Sequence, residues 1–196
     1  MAMASGKTSD EPGSRRVRRQ PRPLDSARLE ELALAYVARF ATSAAKLERY
    51  LARKLRERGW DGEDAPSLAA LVGRYVELGY VDDAAFARAR SGSLLRRGYG
   101  PRRVRQALGE AGIADDVREE ARPGEAAERR AALALARKRG FGPFGAAKPD
   151  RRQRERQLAA MLRAGHTLDS AREMVDAASE AAAEEWAAAC DDDEVS

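Results

Sequence analysis

The side chains best placed to do chemistry are arginines, and their chemistry is anion recognition rather than bond-making. Lys46, Arg49, Arg53 and Arg56 recur at three- and four-residue spacing, and Arg152, Arg156 and Arg163 at four and seven. On a helix turning about 100° per residue, each set falls on one arc. Leu47, Leu51 and Leu55 lie opposite the first arc, and Leu158, Met161 and Leu162 form the apolar stripe beside the second. Between the two sets, Arg96, Arg97, Arg102, Arg103 and Arg105 surround a Gly98-Tyr99-Gly100 turn. Arg102 and Arg105 sit away from the Val104, Ala107, Leu108 and Ala111 face. Guanidinium groups donate hydrogen bonds in a fixed fork that matches phosphate and carboxylate. Any soluble helix has a charged outer face, but three such helices in equivalent positions would align their stripes into one extended basic surface. That surface suits nucleic-acid phosphate or an acidic protein groove.

Other chemistries find no footing. His166 is the only histidine and Cys190 the only cysteine, far apart in the chain, so neither a zinc site nor a histidine-based catalytic set is expected. Asp82 and Asp83 are adjacent at a helix start, where aspartate caps backbone N–H groups instead of forming a catalytic pair. The glycines at 140, 142 and 145 lack the Lys-Ser/Thr of a phosphate-binding loop. No catalytic residue, metal or cofactor is therefore expected. No apolar run approaches the roughly 20 residues that cross a bilayer. Arg15-Arg16 is followed by no apolar stretch of a secretory signal. A lone cysteine fits a reducing compartment, and a cytoplasmic location is expected.

The elements that must position the arginines form a weak repeat. Leu55-Arg56-Glu57-Arg58-Gly59-Trp60, Leu108-Gly109-Glu110-Ala111-Gly112-Ile113 and Met161-Leu162-Arg163-Ala164-Gly165-His166 share one plan. An apolar residue stands four before a glycine, and a further side chain can fold back on the last turn. A helix follows each glycine, so the chain reads as units of roughly forty to fifty residues, within the range of helical arrays. Helices are expected at about 26–40, 43–58 and 66–78, then 83–97, 101–111 and 114–121, then 124–139, 150–164 and 167–185. The basic stripes lie on the second helix of each unit. The seam between the first two units is Gly79-Tyr80-Val81-Asp82-Asp83 followed by Phe86, with Trp60, Tyr75, Tyr80, Phe86 and Leu94 expected in the core. Charge is uneven: residues 1–24 hold six Lys/Arg against two Asp/Glu, while residues 166–196 hold one arginine against ten acids. Blocks of like charge near termini read as interaction tails. The expected division is a disordered basic tail at 1–24, units at 25–80, 81–123 and 124–185, and an acidic tail at 186–196. Trp186 finds no role at this level.

The order and spacing of Gly79-Tyr80-x-Asp82-Asp83-x-x-Phe86-Ala87, of Arg96-Arg97-Gly98-Tyr99-Gly100-Pro101-Arg102-Arg103-Val104, and of Leu108-x-x-x-Gly112-Ile113 resemble the RecX family, bacterial regulators of the RecA recombinase. The resemblance covers about residues 30–180. It is strongest in the middle unit and weakest in the third, which a longer loop around Gly140–Pro149 interrupts. It implies an all-α protein of three tandem three-helix, helix-turn-helix-like repeats in an elongated, curved array. It also implies binding to the RecA filament on single-stranded DNA, with inhibition of RecA ATPase, strand exchange and co-protease activity in recombination, DNA repair and the SOS response. A monomer without catalytic activity or membrane contact is expected. Charge geometry, not the resemblance, nominates the basic stripes as the contact surface, the middle unit first. Two alternatives stay open: a helical repeat protein binding DNA or RNA directly through phosphate, and an adaptor that binds protein without nucleic acid.

Overall fold

The computed structural model describes residues 22–189. The architecture is all-α and tandem, each unit folding around its own apolar core. α1 (Ser26–Val37), α2 (Ala44–Arg58) and α3 (Leu68–Glu77) close on Leu29, Leu47, Leu51, Val72 and Tyr75. α4 (Asp83–Arg96), α5 (Pro101–Glu110) and α6 (Asp115–Glu120) close on Ala87, Leu94, Val104, Leu108 and Ile113. α7 (Glu125–Arg139), a 3₁₀ turn at Gly142–Phe144, α8 (Arg151–Arg163), α9 (Leu168–Asp176) and α10 (Glu180–Ala188) close on Leu135, Met161, Met174 and Ala183. Helix starts follow local chemistry: Ser43, Ser67, Asp82, Asp150, Thr167 and Ser179 each accept a backbone N–H of the following first turn. No described helix is long and apolar enough to cross a membrane.

Five expectations need correction. The helix expected at 167–185 is two. Ala177 leaves helical geometry at ψ 136°, and the Ser179 hydroxyl accepts from the Ala182 amide at 3.1 Å, restarting the chain as α10. This Ala- and Glu-rich run has helical propensity throughout, but the serine cap and the burial of Ala183 and Ala187 against α7 favour a fold-back. Trp186, assigned to the acidic tail, consequently packs on the third core, its ring 4.7 Å from the Arg129 guanidinium. At the other end, Leu24 belongs to the first core rather than to the tail at 1–24: it is fully buried. Its amide donates to the Gly59 carbonyl at 3.0 Å, and its carbonyl accepts from the Asp61 amide at 2.8 Å. That pairing makes Gly59 (φ 82°, ψ 173°) unlike its counterparts Gly112 and Gly165, where the next residue folds back to the helix: the Ile113 amide donates to the Leu108 carbonyl and the His166 amide to Met161. Finally, Tyr80 is exposed, not core, tilted 5.6 Å from the Tyr75 ring, and Leu162 of the expected apolar stripe is 38% exposed. The acidic residues of the expected tail from 190 on lie outside the described residues, as do residues 1–21 of the basic one.

The units are joined where their second helices meet end to end. The C-terminal carbonyls of α8 face the N-terminus of α5: Ala164 accepts from the Gly100 amide at 2.9 Å and Gly165 from the Arg102 amide at 3.1 Å. α5 has no side-chain cap and starts with Pro101, so the neighbouring unit supplies the acceptors its first amides need. A Cβ on Gly100 would lie 2.4 Å from the Gly165 carbonyl carbon, and one on Gly165 would lie 2.5 Å from the Arg103 amide nitrogen; only glycine on both sides permits this approach. At its other end α5 meets the N-terminus of α2. The buried Ser43 hydroxyl donates to the Ala111 carbonyl at 2.6 Å, and the Arg49 guanidinium to the Glu110 carbonyl at 3.0 Å. The two seam aspartates divide the work. Asp82 caps α4 through the Ala85 amide, whereas Asp83 reaches across to the Ala44 amide of α2 at 2.8 Å.

His166 seals the α8–α5 joint. Its Nε2 lies 3.0 Å from the Gly98 carbonyl, which can only accept, so Nε2 carries the proton of a neutral ring. Burial lowers its pKa from 6.5, more than the Gly98 hydrogen bond raises it. A base whose folded pKa is depressed binds fewer protons folded than unfolded, so stability falls as pH drops below the ordinary histidine range. Urea midpoints measured between neutral and mildly acidic pH are expected to fall more in the wild type than in His166→Gln. Independently, Leu24→Ala is expected to cost about 2–5 kcal/mol in chemical denaturation, against about 0.5 kcal/mol or less for the exposed Leu78→Ala.

Candidate nucleic-acid interface

The first basic stripe borders a groove. Leu47 and Leu51 are fully buried under α2, which turns Arg49, Arg53 and Arg56 outward. Between α1 and α2 these side chains and Lys46 line an open groove of about 850 Å³, joined by Arg39. No carboxylate lines it. Its other wall is aromatic: Tyr36 stacks on Tyr50 at 4.2 Å and tilts against Phe40 at 5.3 Å, and the Phe40 ring is half exposed. The groove's cations are held close together. Lys46 lies 4.8 Å over the Phe86 ring, its pKa pushed below the ordinary lysine range first by burial and then by Arg90 and Arg49. Sequence reading found the α2 arginines and missed Tyr36, Arg39 and Phe40; their signal was an aromatic pair four residues apart flanking a cation.

The arginines of the middle unit do not share one face. Arg97 donates to the Ser93 carbonyl, lies 5.7 Å over the Tyr99 ring, and enters a pocket of about 260 Å³ with Lys138, Arg139 and Arg163. That pocket joins the second and third units and, like the α1–α2 groove, has no carboxylate in its lining. It places Arg97 and Arg163, nominated on separate stripes, in one site. Arg102 and Arg105 line a different cleft, with Arg118 and Arg122, between α5, α6 and the start of α7. Arg103 is engaged locally with Gln106, itself tied to Glu110. Arg96 reaches back over Gly92. Arg152 and Arg156 stay exposed on α8, while the neighbouring Arg154 is committed to Asp176. The stripes therefore resolve into two carboxylate-free sites and one mixed cleft. Among the described residues there is no cluster of His, Cys, Asp or Glu that could hold a metal ion.

Phosphate neutralised by cations, with bases stacked on aromatic rings, is how single strands are held without sequence preference. The α1–α2 groove has both components. If it takes a strand, Phe40→Ala is expected to weaken binding of a fluorescent single-stranded oligonucleotide by about 1–3 kcal/mol, the worth of one stacked base. Arg53→Gln is expected to flatten the dependence of affinity on salt. Unchanged anisotropy titrations for both variants would place the strand elsewhere.

Comparison with known proteins adds lineage to this geometry. Residues 82–121 match the family description "RecX, second three-helix domain". Regulatory protein RecX of Myxococcus xanthus is 32% identical over 167 residues, covering 81% of this chain and 89% of that one. Regulatory protein RecX of Halorhodospira halophila is 38% identical over 133 residues, covering 67% and 79%. The crystal structure of RecX from Lactobacillus salivarius shares the fold at TM-score 0.61 and 18% identity, covering 76% of this chain and 94% of that one.

Proposed function

The chain belongs to the RecX family of regulatory proteins, and from that premise we propose that it binds the RecA filament on single-stranded DNA and restrains its activities. The observation that carries this reading is the end-to-end row α8–α5–α2, with one carboxylate-free basic site in the first unit and another where the second and third units meet. A row of this kind presents charge along a line instead of at a point, which suits a polymeric partner of repeating subunits and phosphates. Seated along the filament, the array would bridge neighbouring subunits, hinder growth, and so lower ATPase, strand exchange and co-protease activity. It would act as a cytoplasmic monomer in recombination, DNA repair and the SOS response, with no cofactor and no catalysis of its own.

The aromatic wall of the α1–α2 groove supports a second reading, direct contact with the DNA strand beside the filament protein. The nucleic-acid-independent adaptor has no comparable feature in its favour.

The primary test is the ATPase of the cognate RecA on single-stranded DNA. Arg102→Glu with Arg105→Glu is expected to abolish inhibition while leaving helicity intact. Both side chains are exposed, so the folding cost is small. Like-charge contacts at an interface, by contrast, cost several kcal/mol. Inhibition at the wild-type concentration would move the contact to the first or third unit.

A further inference from the structure

We propose that the α1–α2 groove and the pocket where the second and third units meet are the two ends of one track, joined along α4 through Arg90, that holds a single nucleic-acid strand across all three units. The inference rests on the reading of direct strand contact. It adds to that reading a path and a residue, Arg90, that lines neither site.

α4 makes the connection. At about 100° per residue, Phe86, Arg90, Ser93 and Arg97 fall on one arc of this helix, apart from the buried Ala87, Ser91 and Leu94. Where the arc begins, Lys46 of the α1–α2 groove lies 4.8 Å over the Phe86 ring. Burial is the first cause of the lowered Lys46 pKa and the charge of Arg90 the second, so Arg90 stands within electrostatic reach of the groove. Where the arc ends, Arg97 lines the pocket, its Nε donating to the Ser93 carbonyl at 3.2 Å. From Phe86 to Arg97 the helix axis runs about 17 Å. That length takes about five nucleotides at a stacked spacing of about 3.4 Å.

The arc is as free of counter-charge as the sites it joins. Asp83 is the only acid of α4, and its carboxylate is held by the Ala44 amide at 2.8 Å. Arg90, Arg97, Lys138, Arg139 and Arg163 make no ion pair among the described residues. Cations in a last helical turn complement the helix dipole, which accounts for Arg97, Lys138, Arg139 and Arg163 taken singly. It does not account for Arg90, which is exposed in the middle of α4, nor for the rings. A ring accompanies a cation at three stations: Phe40 at 5.9 Å from Arg39, Phe86 beneath Lys46, and Tyr99 at 5.7 Å from Arg97. Phe40 and Tyr99 are exposed. Rings interleaved with cations favour a strand, whose bases stack, over an acidic peptide, which offers charge alone.

The test titrates the full chain with oligothymidylates of about 4 and about 16 nucleotides, the range of single-strand site sizes. The longer strand is expected to bind one per protein. Arg90→Gln is expected to weaken it about five-fold at about 0.1 M salt and to lower its salt slope by about 0.7, the worth of one phosphate contact on a single strand. The short strand, held within one site, is expected to bind Arg90→Gln and wild type alike. Arg88→Gln, equally exposed on α4 but on the far side of the helix from the arc, is the control and is expected to move neither. Circular dichroism checks that both variants keep wild-type helicity. The track is overturned if Arg90→Gln leaves the long strand unaffected, if Arg88→Gln weakens it equally, or if two long strands bind per protein. It is also overturned if polyglutamate of matched charge binds as tightly as the strand and responds to Arg90→Gln in the same way, which assigns the surface to an acidic protein. Wild type that binds neither strand overturns the track together with the direct-contact reading, whereas binding indifferent to Arg90 overturns the track alone.

Discussion

Backbone-to-backbone contact between helix ends is the constraint on which the rest of this molecule depends. Each unit has its own small core, and α4 of the second unit packs on α7 of the third beside the helix-end joint. What fixes α8 against α5 is a pair of amide–carbonyl bonds that a single methyl group at Gly100 or Gly165 would obstruct. Such a joint needs no matching of large side chains, only the absence of them. It also places the negative end of one helix dipole on the positive end of the next, which is favourable in a poorly solvated contact. His166 completes the seal by donating from its buried ring to Gly98, and a buried donor that is paired is stabilising rather than costly.

That geometry also decides what the arginines can do. Three parallel stripes on isolated helices would make one basic sheet of charge. Joining the helices end to end instead rotates each stripe relative to the next and brings cations of different units together. Arg97 meets Arg163 across the second joint, while Lys46 approaches Arg90 across the first. Clustering like charges without carboxylates is unfavourable for the isolated protein and is offset only by the cores and joints that hold them. A polyanion bound there would relieve the repulsion, which is the usual electrostatic logic of a nucleic-acid or filament surface.

Much of the fold was legible because its signals are local. Glycines at helix ends, Ser and Asp caps and apolar spacing within a helix depend on residues a turn apart, so the unit order and most helix positions could be read directly. The failures were non-local. Leu24 looks like the end of a Pro- and Arg-rich stretch, and only its partners Gly59 and Asp61, more than thirty residues on, make it core. Trp186 sits in a run whose propensity favours one continuous helix; its place is set by α7. Tyr80 follows its glycine as Ile113 and His166 follow theirs, yet those two are buried and it is exposed. The individual basic residues were legible for the same local reason the caps were, whereas their grouping into separate sites was not, because it depends on the joints.

The joints also bear on how such an array could follow a polymeric partner. A repeat protein whose neighbours share a large apolar interface resists bending, since opening the interface exposes that area to water. Here the second helices share directed hydrogen bonds at the α8–α5 joint, while α4 packs on α7 beside it, with a separate core in each unit. A rotation about the α8–α5 contact would strain its hydrogen-bond angles and also disturb the packing of α4 on α7, so the two contacts together fix the relation of the second and third units. A fold shared with a RecX structure at 18% identity fits such a design: the α8–α5 joint asks for glycines at a few positions, and each core can be repacked with other apolar side chains of similar volume.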